Sequence, residues 1–152
     1  MSHRIAVQCT LTLPPGPVAP IVPVEIPGGG VIAATKSQPI WTGFAVAGEP
    51  VTASTMLGVG LVNANQSWDA HGYDVETLGD GKGSIQGEWK ESGSAAGSSI
   101  QWRIRSGNGV AAGIDGHATI SCGPRGSDGS ITCQLSGWYT LPPLVTVGGP
   151  DT

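Results

Sequence analysis

Asp69 and His71, beside Trp68, are the most enzyme-like grouping in the sequence. If their side chains converged, with His117 next to Asp115 joining them in space, they could act as a base with its orienting acid or as metal ligands. No other motif supports that chemistry. There is no H-E-x-x-H, no phosphate-binding loop, no G-x-G-x-x-G opening a helix and no EF-hand string. The nearest approach to a nucleophile elbow, Gly93-Ser94-Ala95-Ala96-Gly97, misplaces its serine. Asp69 and His71 therefore read as a polar loop with Trp68 covering the edge of the core. No enzymatic activity, catalytic residue, cofactor or metal is expected. Asp74, Glu76 and Glu88 alternate with apolar residues, as carboxylates on a solvated sheet face do, and not as an acid/base pair.

Five Trp stand against one Phe and two Tyr. Trp89 and Trp102 run in phase with apolar neighbours and belong to the core. Trp41 and Trp138 fall out of phase, so partial exposure is expected of both. An exposed indole beside Asn, Asp or Gln can stack the C–H face of a sugar ring while the polar groups take its hydroxyls. Trp41, Trp68, Asp69, His71 and Trp138 thus form a candidate sugar-binding set. Indoles are equally preferred anchors at protein interfaces.

Cys122 and Cys133 flank a segment dense in turn residues. A two-residue turn at Ser127-Asp128 sets them opposite each other, whereas an Asp128-Gly129 type I′ turn leaves them diagonal. The first register permits a disulfide easily and the second marginally. In a reducing cytoplasm both would stay largely reduced. Cys9 is left over on a buried strand face, where a thiol acts as a small hydrophobe.

The elements that must position these residues are strands. Gly costs a helix interior about 1 kcal/mol and Pro about 3 kcal/mol, and only residues 1–13 and 61–71 run eleven residues without either. The first alternates with period two over Ile5, Val7, Cys9, Leu11 and Leu13. The second could hold one short helix capped by Asn63. Further strand faces are Ile40, Thr42, Phe44 and Val46; Leu57, Val59 and Leu61; Tyr73, Val75 and Thr77; and Ile85, Gly87 and Trp89. The clearest is Ile100, Trp102 and Ile104, with Gln101, Arg103 and Arg105 on its other face. Ala118, Ile120 and Cys122, then Ile131, Cys133 and Leu135, complete the set. The expectation is a single all-β domain, a β-sandwich or jelly-roll/barrel-like fold of about eight to ten short strands, with at most one short helix near 61–71.

Gly (25) and Pro (12) supply about a quarter of the 152 residues, twice the usual share of roughly 12%. Charged residues are only 12%. With seven Lys plus Arg and a net charge of −4, the chain lacks the cationic footprint of a nucleic-acid binder. No apolar run approaches the ~18 residues of a membrane span, so neither nucleic acid nor membrane is an expected partner. The start reads as a strand rather than a secretion signal. Asn65-Gln66-Ser67 then matches a glycosylation acceptor by chance.

The chain divides into an N-terminal strand (1–13), an extended Pro/Gly-rich arm (14–30), a β domain (31–141) and an extended tail (142–152). The arm carries Val18, Ile21, Val22, Val24 and Ile26 among its prolines, which a free solvated linker would not. These five, with Trp41 and Trp138, are the candidate partner-binding residues, on copies of the same chain or on other proteins of an assembly. A small, weakly charged, helix-poor β domain with apolar arms and no catalytic motif resembles in general character the capsid decoration or cement proteins of tailed bacteriophages. That resemblance implies a structural part of a virion, assembled in a host cytoplasm and acting through protein–protein contacts. The alternative is a carbohydrate-binding or receptor-binding module with a glycan partner.

Overall fold

The computed structural model describes residues 3–15 and 21–143, and every regular element among them is a strand. In chain order these are β1 (Ile5–Leu13), β2 (Ile21–Glu25), β3 (Val31–Ser37), β4 (Ile40–Thr42), β5 (Ala45–Val46), β6 (Glu49–Val62), β7 (Trp68–Leu78), β8 (Gly83–Ser94), β9 (Gly97–Gly109), β10 (Asp115–Cys122) and β11 (Ile131–Thr140). All pairings are antiparallel, in the order β2-β3-β6-β7-β8-β9-β10-β11-β1-β4, and β5 pairs with β6. The expected sandwich or jelly roll is therefore replaced by one curved, half-barrel sheet. Strands β6 to β11 each pair with their chain neighbours, and the sheet curls over its own apolar face, so no second layer is needed to bury it.

Segment 40–46 straps the curl together. Trp41 pairs with Leu11 on β1, and four residues later Ala45 and Val46 pair with Pro50 and Glu49 on β6. Tyr139 of β11 donates its hydroxyl to the Ala45 carbonyl at 3.3 Å. The core lines the concave side: Cys9 and Leu11, Phe44 and Val46, Leu78, Ile85 and Trp89, Ile100, Trp102 and Ile104, Ile120, Leu135 and Tyr139. Strands β8, β9, β10 and β11 bury the faces expected of them, and β1 does so from Val7 onward, Ile5 being exposed.

No helix forms at 61–71. Asn63, Asn65 and Ser67 tie a turn instead. The Asn63 and Gln66 amides donate to the Ser67 and Asn63 carbonyls, and the Ser67 amide donates to Asn65 Oδ1 at 3.0 Å. Short polar side chains that bond local backbone compete with helix in this way. Residues 68–71 then open β7.

Residues 21–25, expected within the extended arm, form an edge strand on β3, with a register shift between Ile21 and Val24. Pro23 and the positive φ of Val22, +50°, break the run of free backbone groups along that edge. Ile21, Val22 and Val24 are exposed, Ile26 is half-buried, and Val18 lies outside the described residues.

Candidate functional site

Strand β7 decides what the concave wall carries. Its inward residues are Trp68, Ala70, Gly72, Asp74, Glu76 and Leu78, and its outward ones Asp69, His71, Tyr73 and Val75. The expected solvated face at Asp74 and Glu76 is thus an interior one: they are 4% and 0% exposed, while Tyr73 is 69% exposed. The same inversion holds on β6, where Ser54 is buried and Leu57 and Val59 face out. Period two gives two faces and does not say which is inside, and a shift of one residue swaps them. The missed signal was Leu78, in phase with Asp74 and Glu76 and continuing their face into the core.

The acid pair has specific partners. Ser54 Oγ donates to Glu76 Oε2 at 2.9 Å, and Trp102 Nε1 donates to Asp74 Oδ2 at 2.9 Å. The remaining oxygens, Asp74 Oδ1 and Glu76 Oε1, are buried without a donor. One proton held between the two carboxyls supplies both, since a protonated carboxyl is a donor and its neighbour an acceptor. Burial raises Asp74 against the opposing hydrogen bonds from Glu76 and Trp102. Glu76 is pushed well above the usual carboxylate range by burial, and further by the hydrogen bond and charge of Asp74, with Ser54 opposing. Burial also raises Glu91, farther along the same wall, where Ser98 Oγ donates to Glu91 Oε2 at 2.8 Å.

Aromatic rings enclose the pair. Trp102 packs on Trp41 and Phe44, with centroids at 5.4 Å and 6.0 Å, and Phe44 packs on Tyr139 at 6.0 Å. Glycines let the indoles lie against the wall. A Cβ on Gly87 would stand 2.8 Å from both Asp74 oxygens and collide with the Trp102 nitrogen. A Cβ on Gly93 would meet the Trp68 ring at 2.6 Å.

The residues marked out in the sequence separate between the two faces. Trp41 is half-buried inside, because Gly43 at φ +93° breaks the alternation between Ile40 and Phe44 and turns Trp41 inward, leaving Ile40 58% exposed. Its indole Nε1 has no partner. Trp68 also faces in. Asp69 and His71 face out and line a hollow of about 390 Å³ with Ile32, Val59, Leu61 and Lys90; Asp69 accepts from Ser92 Oγ at 3.0 Å. Trp138 faces out on β11, with the Arg4 guanidinium 4.0 Å from its ring centroid and His117 at 5.5 Å. The sugar-binding set does not converge. Among the described residues, no group of three or more His, Cys, Asp or Glu is arranged to hold a metal.

Cys122 and Cys133 stand directly opposite, Cα atoms 4.0 Å apart, and are joined in a disulfide. The turn is the one at Ser127-Asp128: the Gly129 amide donates to the Gly126 carbonyl, and Gly129 takes φ +87° as the bulge after it. Of the two expected registers, the structure takes the one that sets the cysteines opposite each other. Cys9 is a free, buried thiol raised by burial to about 11.

No family model and no curated protein matches the sequence. Among solved structures, a pterocarpan synthase dirigent protein is similar, at 12% identity over 91% of this chain and 88% of that one, with a TM-score of 0.54. The likeness is to a dirigent protein and not to a capsid or tail component, which overturns the expected virion role, bacteriophage origin and assembly in a host cytoplasm. At that identity it speaks for the fold alone: the chain is an all-β half-barrel similar in fold to a dirigent protein.

Proposed function

We propose that this chain is a small-molecule-binding half-barrel. It holds a hydroxyl-bearing aromatic ligand against the Asp74–Glu76 pair and orients it without forming a covalent bond to it. The observation that carries this reading is the buried acid pair itself. Removing a carboxylate from water is unfavourable by several kcal/mol, and apolar side chains at both positions would avoid that cost. The pair can offer a proton donor and an acceptor side by side, which is what a phenolic hydroxyl matches, and Trp41, Trp102 and Phe44 supply ring faces beside it.

The residues favour binding over covalent catalysis. The Ser54 hydroxyl is engaged with Glu76, and no histidine of the described residues is buried beside it: His3, His71 and His117 are all exposed. The fold likeness to a protein named for pterocarpan synthesis supports a ring-system ligand. With Glu76 fully buried, a ligand reaches the pair when the strap at 40–46 lifts about Gly43, carrying Trp41 and Phe44 off Trp102.

Tryptophan fluorescence tests this, because the Trp102 indole bonds the pair and Trp41 packs on Trp102. Titration with a pterocarpan and a set of hydroxylated aromatic compounds should give saturable quenching. Glu76→Met keeps the volume and removes both oxygens, and should weaken binding about tenfold or more while circular dichroism shows the fold intact. Trp41→Ala should speed association. Saturable quenching indifferent to Glu76→Met, or none with any compound, rejects the reading.

A further inference from the structure

The convex face of the sheet carries a second hollow of about 340 Å³, on the opposite side of the wall from the acid pair. Two transverse rows build it. Tyr73, Glu88, Arg103 and His117 are register partners across β7, β8, β9 and β10, and His71, Lys90 and Gln101 form the row beside them. Rows two residues apart along a strand sit about 7 Å from each other on one face. All seven side chains therefore converge on one shallow space, within the size range of small-ligand sites.

The chemistry of that space is one-sided. The chain has only seven Lys plus Arg against eleven Asp plus Glu, yet Lys90 and Arg103 both line this hollow, and neither makes an ion pair among the described residues. The one carboxylate in the wall, Glu88, is engaged by Arg105 at 3.1 Å. Gln101 is oriented as well: Thr119 Oγ1 donates to its Oε1 at 3.2 Å, which leaves the amide nitrogen to donate outward. Lys90, Arg103 and Gln101 thus present donors, and His71 and His117 add ring N–H groups. Tyr73, 69% exposed, stands as an uncovered ring at the rim.

We infer that this convex hollow is a binding site for a small organic anion, a tetrahedral phosphate or sulfate group carried on a planar ring. The oxyanion sits between Arg103 and Lys90, where guanidinium and ammonium supply charge-assisted hydrogen bonds. Its ring lies on Tyr73. The geometry is independent of the interior pair, so this site stands or falls separately from the interior binding reading.

Isothermal titration with phenyl phosphate, phenyl sulfate and inorganic phosphate as probes tests it on the full chain. Both phenyl esters should bind saturably and more tightly than inorganic phosphate. Arg103→Gln and Lys90→Gln should each weaken all three about tenfold or more, the effect of losing a charge-assisted hydrogen bond. Tyr73→Ala should weaken the phenyl esters and leave inorganic phosphate unchanged. Lys82→Gln, an exposed charge in the turn between β7 and β8 and eight residues along the chain from Lys90, should change nothing. All four positions are exposed, so these variants fold, and a thermal melt confirms it. No saturable binding by the unaltered protein overturns the proposal. So does an equal loss with Lys82→Gln and Arg103→Gln, which would mean diffuse attraction. A preference for one ester identifies which oxyanion the site takes.

Discussion

Trp102 and Asp74 meet across an intervening strand. The indole Nε1 on β9 donates to Asp74 Oδ2 on β7 at 2.9 Å, passing over Gly87 of β8. The contact requires a strand residue without a Cβ between them, and the register shift at Gln86/Gly87 marks the place. A buried carboxyl, a buried indole and a glycine are therefore one structural unit.

Gly87→Ala should be severely destabilising for its size. The new methyl would stand 2.8 Å from each Asp74 oxygen, and overpacking of this kind typically costs about 1 to 3 kcal/mol. Urea denaturation should show that loss, and Gly87→Ala combined with Trp102→Phe should recover part of it by removing the colliding nitrogen. A single variant as stable as the parent would mean that the wall is looser than described.

Stability should depend on pH through Glu76. Its carboxyl is raised in the folded state and has the ordinary value near 4.5 when unfolded. Between those limits the folded chain binds more protons than the unfolded one, so stability falls as pH rises. The contribution is fully present below about pH 4.5 and is lost as pH climbs through the raised value. Glu76→Gln keeps the shape without a titrating proton. Its denaturation midpoint should exceed the parent's at neutral pH and its downward slope should be shallower, the raised Asp74 keeping part of it. A parent profile that rises across the same range would place the proton elsewhere.

The disulfide closes a loop with a sequence separation of 11, for which chain-entropy arguments give about 3 kcal/mol of stabilisation. Mass measurement of the denatured, unreduced protein after alkylation should find one labelled thiol, Cys9. Reductant should bring the count to three and lower the melting temperature. Three labels without reductant would contradict the bond.

The inversion of faces on β6 and β7 separates two leucines of similar appearance in the sequence. Leu57→Lys, at a side chain 53% exposed, should change stability by no more than about 0.5 kcal/mol. Leu78→Lys, at a fully buried position, places an ammonium in the core. Its cost exceeds about 4 kcal/mol, the range reserved for unpaired buried charges. Equal melting temperatures for the two variants would refute the assigned faces.

Strand content, the absence of a catalytic motif and the inward faces of β1 and β8 to β11 were legible in the sequence. Gly and Pro exclude helix locally, and apolar residues in strict alternation leave only one face that can be buried. At Ile100, Trp102 and Ile104 the opposite face is Gln101, Arg103 and Arg105, and the assignment follows from hydration alone. On β7 the alternation sets Tyr73 and Val75 against Asp74 and Glu76, and local hydration favours the wrong face. Only tertiary structure reverses it, because Ser54 and Trp102 come from strands remote in sequence and supply the donors that make a buried carboxyl tolerable. The same holds for Trp41, whose side is set by one left-handed glycine, and for Cys122 and Cys133, whose pairing depends on which of two turns wins. The hollow of Lys90, Arg103 and His117 exists only through the register of four strands. Charges about a dozen residues apart in the chain become neighbours only once that register is fixed.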